Sequence, residues 1–485
     1  MIDESNNMKE EIPYDIEKNI YWSLNEIERL NGEKVYKIIS PKTPLNNQLA
    51  TIEKKPNDDF ICKVYSEELV EPIKGKTSAG YGAFEEIYLE SDGEIYFIRA
   101  KSVTEISRTL ISPSLLRFRL THFQKGRTED FDNNLFRLII PVNNNPDFFT
   151  LSDTRLKIEN HYLPSGLVEI TVDNQQYHLY KSLGNDENHL VIESLNPISL
   201  CTFKKASESI ITGYALVSGN LHLGEYYYHV INDDFNSEQF LIYEKNEPAS
   251  ITNISLLNHN AFKRHLENIT SSKAYHKYCV PMSSHVFSSL CQTINDDLVY
   301  ARCCRFIIEG HQSKQILLRG GIYSIGIETI ASIIYEKNQE RMNPIEDKNL
   351  AKKILNKFRD VINEYDAFIS EYGKTIIDAK INSLNSPTNA KKLSKPFELF
   401  DIILPDEDIA ILNTRNKFLH GTSPLDENKT VDNQEELETI VNKLLFMLMV
   451  LMLKHVGYKG HIIHFPDWIK YRYTSPYSGK LFFVI

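Results

Sequence analysis

The first half of the chain is patterned for strands. Gly93 to Arg99, Leu116 to Leu120 and Leu135 to Ile140 are short runs rich in aromatic or β-branched residues. Gly166 to Val172, Tyr177 to Tyr180 and His189 to Glu193 continue the series. Asn, Asp, Pro and Gly separate the runs, as in Pro141-Val142-Asn143-Asn144-Asn145-Pro146. Leu116-Arg117-Phe118-Arg119-Leu120 alternates apolar residues with arginine, the period of a strand with one wet face. Lys204 to Val217 reads as a helix among them. The spacing predicts an antiparallel sandwich or barrel-like domain over residues 1–245.

After about residue 255 the period changes to that of helices. Phe262 to Ile269 and Val286 to Ile294 predict short helices, so residues 246–300 read as a helical connector. Four longer segments follow. Ile316 to Tyr335 repeats Leu317, Ile325, Ile327, Ile330 and Ile334, and Leu350 to Tyr365 puts Ile354, Phe358, Val361 and Ile362 on one stripe. Pro405 to Leu419 opens on Asp406-Glu407-Asp408, which suits a helix N-terminus. Asp432 to Glu435 has the form of a capping box for a last helix that stops at Gly457. Four antiparallel helices make a bundle over residues 301–457. Ser383 to Lys395, with Pro387, reads as a flexible loop. The aromatic tail, 458–485, is strand-like. The fold class is therefore α+β and multidomain, a β-rich N-terminal domain followed by a helical bundle.

Composition narrows the function. The 485 residues carry a net charge of -11, against a protein that coats nucleic acid with its whole surface. An acidic chain still binds RNA through a local basic site. The six cysteines, at 62, 201, 279, 291, 303 and 304, include no CxxC pair and read as reduced and packed, which predicts a cytoplasmic protein. The acidic, polar start Met1-Ile2-Asp3-Glu4-Ser5 does not resemble a signal peptide. The longest apolar run, Leu444 to Leu453, is half of the roughly 20 residues a membrane span needs and reads as a core helix.

Arg415-Asn416-Lys417-Phe418-Leu419-His420-Gly421 is the chemically informative stretch. Cleaving an RNA phosphodiester without metal needs a base for the 2′-hydroxyl proton and a cation for the charge building on phosphorus oxygens. Histidine titrates near neutrality and arginine presents a planar fork to phosphate. Asn416 can orient either partner. At about 100° per residue, Asn416 and His420 share a helix face while Arg415 and His420 point about 140° apart. Either the helix end distorts before Gly421, or a second copy completes the site. The bland reading is a helix C-terminus with His420 on the dipole and Arg415 a solvated charge.

Arg415-Asn416-x-x-x-His420, on the penultimate helix of a C-terminal four-helix bundle, resembles the R-x4–6-H signature of HEPN domains. Gly326-Ile327-Glu328-Thr329-Ile330 resembles the first HEPN helix, and a β-rich domain ahead is similar to the ApeA branch of anti-phage HEPN proteins. The bundle resemblance covers about residues 300–457. It implies a metal-independent endoribonuclease, active as a homodimer, that leaves a 2′,3′-cyclic phosphate. It implies abortive infection, in which host RNA, tRNA included, is cut after phage entry. It assigns Arg415, Asn416 and His420 as catalytic. Glu328 matches a looser pattern and either orients the arginine or is an ordinary helix charge.

Other residues are open to two readings. Lys374, Lys380, Lys391, Lys392 and Lys395 flank the predicted loop. Lys391, Lys392 and Lys417 supply a positive field for RNA, or they are solvated charges. Cys279, Cys291 and Cys303, with His276, His285 and His311 nearby, lack zinc-finger spacing and read as packed thiols rather than a metal site. His461 and His464 read as packing residues. Arg319-Gly320-Gly321 lacks the flanking strand of a phosphate-binding loop. No cofactor is expected. Two other function classes compete with the nuclease. One is a non-catalytic HEPN module that binds nucleotide or protein, with a ligand-sensing N-terminal domain. The other makes the β-rich half the active part, recognising a phage protein as trigger, with the bundle as a dimerisation handle.

Overall fold

The computed structural model describes residues 16–485 except 44, 55–58, 67–85, 109–113, 127–130, 143–150, 152–153, 159–160, 184–187, 223, 233–236, 246–249, 252–254, 258–277, 279, 426–431 and 472–481. The chain divides into two compact units. The first comprises residues 1–211, 220–251 and 283–288, and the second residues 212–219, 252–282 and 289–485.

In the first unit the predicted strands form, and all pair antiparallel in one fifteen-stranded sheet. The sheet is built from two runs. Eight strands between Lys34 and Lys125 make one, seven between Leu135 and Lys245 the other, and Ser237–Lys245 pairs with His122–Lys125 where they meet. The strands follow one continuous hydrogen-bonded order ending on Thr154–Ile158 and Val103–Arg108. Two-residue turns explain several of the hairpins. Asp92 and Gly93 have φ of 53° and 79°, and Asp173 and Asn174 have 51° and 60°, the left-handed pair that matches strand twist.

Tyr36, Ile38, Phe60, Phe123 and Tyr243 pack in the core of this sheet. A helix the sequence pattern did not predict, α1 (Ile16–Asn31), adds Ile20 and Ile27 to it. The predicted Lys204–Val217 helix is α2 (Leu200–Ser218), whose Phe203 ring stacks on Phe136 at 5.4 Å. Arg137 and Glu193 face each other across paired strands, both fully buried, with Nε to Oε1 at 2.5 Å. Tyr180 donates to the same carboxylate and Arg137 donates to Ser23 of α1. A buried ion pair is tolerable when such extra hydrogen bonds offset its desolvation.

The helical region comprises α3 (Ser284–Asp296), α4 (Leu298–Gln312), α5 (Ile316–Lys337), α6 (Gln339–Met342), α7 (Lys348–Glu364), α8 (Glu371–Ser383), α9 (Asn389–Leu399), α10 (Asp406–Leu419), α11 (Asp432–His455) and α12 (Phe465–Tyr471). The predicted Phe262–Ile269 helix lies outside the described residues. Within the second unit, α5 is central and packs on α4, α10 and α11. Close approach depends on glycine. A Cβ on Gly320 would meet the Phe418 ring at 2.5 Å, and one on Gly326 would meet Leu448 at 2.7 Å. Leu444 to Leu453 is buried almost throughout, as a core helix requires.

Two expectations change here. The predicted second bundle helix is α7, and it lies outside the bundle core. Ala351 is its buried residue, while Phe358 and Val361 stay 49% and 51% exposed. The bundle position it was expected to fill belongs to α4, whose Asp297 cap accepts from the Val299 and Tyr300 amides. An apolar stripe at helical spacing announces a helix without saying what covers it. Second, the expected loop Ser383–Lys395 is half helix. Thr388 caps α9 by accepting from the Lys391 amide, and Pro387 lies in the short turn between α8 and α9. Asn385 ties the base of this excursion, accepting from the Ile345 amide and donating to its carbonyl.

In the tail, His461–Ile463 pairs antiparallel with Phe482–Val484. Among the described residues α5 is long and apolar enough by composition to cross a membrane, and 44% of its most apolar window is buried in the fold.

Candidate functional site

Helix α10 carries the site. Pro405 precedes it and Asp406, Glu407 and Asp408 form its first turn. Lys443 of α11 clamps that turn, reaching Glu407 at 2.8 Å and Asp408 at 2.9 Å. Ile411, Leu412, Arg415 and Phe418 form the buried face. The helix runs regularly to Leu419 and closes in a Schellman motif. Thr422 N–H donates to the Lys417 carbonyl at 2.8 Å and Gly421 N–H to the Phe418 carbonyl at 3.0 Å. Gly421 takes φ 69°, and His420 is the cap at φ -91°.

The regular end leaves the two key side chains diverging within one copy. Arg415 is buried, and its Nε donates to Glu328 Oε1 of α5 at 2.6 Å. His420 and Asn416 are exposed, one turn apart on the opposite side of α10. The distortion that would swing Arg415 and His420 together is not there. Glu328 resolves in favour of an orienting contact, since it holds the arginine directly.

The lysines are dispersed. Lys417 is exposed one turn from the helix end. Lys392 sits over the Tyr335 ring at 4.9 Å. Gly320 touches Phe418, and Tyr335 lies fifteen residues further along α5, roughly 22 Å away at 1.5 Å per residue. Lys391 and Lys392 are therefore not brought to His420 within one copy. Lys374 is paired with Asp366 at 2.6 Å and Lys395 with Glu398 at 2.7 Å, so their charge is partly cancelled.

The cysteine cluster is a packing feature. Cys291, Cys303 and Cys304 are buried, and burial pushes the Cys303 thiol up to about 12 and the other two higher still. Among the described residues no group of three or more His, Cys, Asp or Glu side chains is arranged to hold a metal ion. Cys279 and His276 lie outside the described residues. The His461 ring meets Tyr278 edge-on at 4.9 Å, and His464 packs on Phe446 and pairs with Asp467.

The family model described as Apea-like HEPN matches residues 326–460. The chain carries an Apea-like HEPN domain. The HEPN match starts two residues before Glu328, ends past α11, and so contains Glu328, Arg415, Asn416 and His420 together. It covers less than a third of the chain and includes none of the β-rich region. No curated protein and no solved structure matches the chain.

Sequence reasoning missed Lys443 and Asp297. Asp297, ahead of Tyr300, Cys303, Cys304 and Ile307, carried a readable capping signal for α4. Lys443 carried none, because its partners are 35 and 36 residues away.

Proposed function

We propose that the protein is a metal-independent endoribonuclease of an abortive-infection defence against phage, cutting host RNA, tRNA included, through a site shared by two copies of the HEPN domain. The observation that carries this reading is the Glu328–Arg415 pair inside the HEPN segment, on the helix that His420 caps. Neutral His420 takes the 2′-hydroxyl proton. The 2′-oxygen attacks phosphorus, the bond to the 5′-oxygen breaks, and the departing oxygen takes a proton from solvent, to which His420 then returns its own, leaving a 2′,3′-cyclic phosphate. With Nε committed to Glu328, the two terminal nitrogens of Arg415 present their fork to the non-bridging oxygens. Asn416 orients the imidazole or the phosphate, and Lys417 adds positive charge beside them. The β-rich region senses the infection, with a phage protein as its trigger. The protein works in the cytoplasm.

The test is total RNA incubated in chelator with the protein and with its His420→Ala variant, followed by mapping of the cut ends. Cyclic-phosphate ends produced by the parent and absent with the variant support the proposal. Equal cleavage by both overturns it.

One observation favours a second reading, a HEPN module that binds without cutting. Arg415 is buried in a single copy, as a structural arginine would be. Nucleotide or RNA binding with no cleavage by the parent protein selects that reading.

A further inference from the structure

Helix α7 presents an apolar seam to solvent. Ile354, Phe358, Val361 and Tyr365 recur at spacings of four, three and four, the period along which two helices pack. Phe358 and Val361 are half exposed, and Tyr365 at the helix end is 56% exposed. Past that end the apolar surface continues into Phe368 and Tyr372, at 87% and 78%. The neighbouring side of α7 is taken. Arg359 donates to Asn382 of α8, and Leu355 and Ile362, on the same side of the helix, are half-buried. Helix α8 thus covers one flank of the seam and leaves the seam itself exposed. An apolar patch of this size on a soluble fold marks a contact surface.

The other flank carries a row of charge. Lys353, Lys357, Asp360 and Glu364 each precede a seam residue by one position, and all four are exposed. The first two are basic and the last two acidic. This order runs against the helix macrodipole, which favours acid at the start and base at the end. The first turn of α7 holds no acid and its last turn no base. The row therefore does nothing for the isolated helix. It is complementary to itself, because an antiparallel copy lays its acidic half along the basic half of the first. Asp360 and Glu364 also set this flank against an RNA backbone or an anionic bilayer, which they would repel.

We propose that α7 is a second self-association surface, on which two copies of the chain pair antiparallel through the seam. A two-fold axis between positions 359 and 360 relates each position to the one equally far on the other side. It sets Phe358 against Val361 of the other copy and Ile354 against Tyr365. It also brings Lys357 of each copy beside Glu364 of the other, on the flank away from α8. The two α7–α8 hairpins then bury a shared apolar layer. This surface lies outside the bundle core and includes none of Glu328, Arg415, Asn416 and His420. It does not depend on the nuclease reading, and where the HEPN site also joins two copies it links such pairs into a larger assembly.

Sedimentation velocity and cysteine cross-linking of the full chain test this. Val361→Glu changes a half-exposed position and is expected to melt as the parent does while halving the sedimenting mass. The fall is from four copies to two where the HEPN site also pairs, and from two to one where it does not. An unchanged mass overturns the proposal, and binding of phosphatidylserine vesicles by that protein would make a bilayer the occupant instead. Lys357→Glu is expected to weaken the association by about fivefold, and adding Glu364→Lys to restore it. A double variant no tighter than the single one overturns the pairing of these two residues. Cross-linking reads the register in a background of Cys201→Ser and Cys279→Ser. Cys201 is exposed, Cys279 lies outside the described residues, and Cys62, Cys291, Cys303 and Cys304 are buried. Ile354→Cys mixed with Tyr365→Cys is expected to give a covalent dimer on a non-reducing gel after mild oxidation. Neither variant alone links, because two copies of one position stand roughly 16 Å apart along the contact. Self-linking by either variant at the level of the mixture overturns the antiparallel register. None of these arms uses RNA or His420, so failure of the nuclease reading does not change their outcome.

Discussion

Glu328 holds the Arg415 guanidinium through Nε at 2.6 Å, from a position where the carboxylate is 41% exposed and the arginine side chain 9%. The pair therefore joins a buried cation to a half-exposed anion. Removing the anion leaves the arginine charge desolvated without a partner, whereas removing the arginine frees a carboxylate that water can reach. Glu328→Ala is expected to lower stability by about 1–2 kcal/mol, discounted from a fully buried pair because Glu328 is wet. Cleavage should fall at least as far as Glu328→Gln makes it fall, since Gln keeps a neutral acceptor. Thermal melts and single-turnover cleavage of the two variants check both statements.

His420→Ala should separate chemistry from stability. The side chain is exposed, and the helix end is closed by backbone bonds from Gly421 and Thr422. Stability is expected to change by less than about 0.5 kcal/mol while cleavage is lost. A variant that melts far below the parent would show that His420 is a structural cap instead.

Gly421 determines where α10 stops. Its φ of 69° is left-handed, and a Cβ there would meet nothing within 4 Å, so only backbone strain opposes a side chain. Gly421→Ala should cost about 1 kcal/mol, and Gly421→Asn less, because asparagine tolerates this region. Hydrogen exchange at the His420 and Thr422 amides is expected to quicken in the alanine variant. Unchanged protection would mean that the cap does not restrain the helix end.

Acid should weaken the β-rich unit before its carboxylates titrate. Burial lowers His189 and His222 to about 4 and His229 to about 3, from 6.5. The unfolded chain then binds more protons than the folded one between those values, so stability rises with pH across the window. The contribution is complete above about 6.5 and is lost as pH falls toward 4. The urea midpoint of the full chain, followed through the tyrosines of the sheet, is expected to drop between pH 7 and pH 5. A flat midpoint over that range contradicts the burial of these imidazoles.

Much of this was already written in the sequence. Alternation at Leu116 to Leu120 and turn pairs such as Asp92-Gly93 are local, because strand faces and left-handed turns are decided within a few residues. The helices at Ile316 and Pro405, and the stop at Gly421, are local for the same reason. The Arg415-x4-His420 pattern could be found from the chain alone, and so could its divergence, which is helix geometry. What the chain could not announce was partnership. Nothing near Leu350 says that its stripe stays uncovered while α4 takes the bundle position, since amphipathicity names a face and not its neighbour. Glu328 meets Arg415 across 87 residues, and Lys443 reaches back to the start of α10. Those contacts depend on α5, α10 and α11 packing side by side, with glycines at the closest approaches, and only the tertiary structure brings them about.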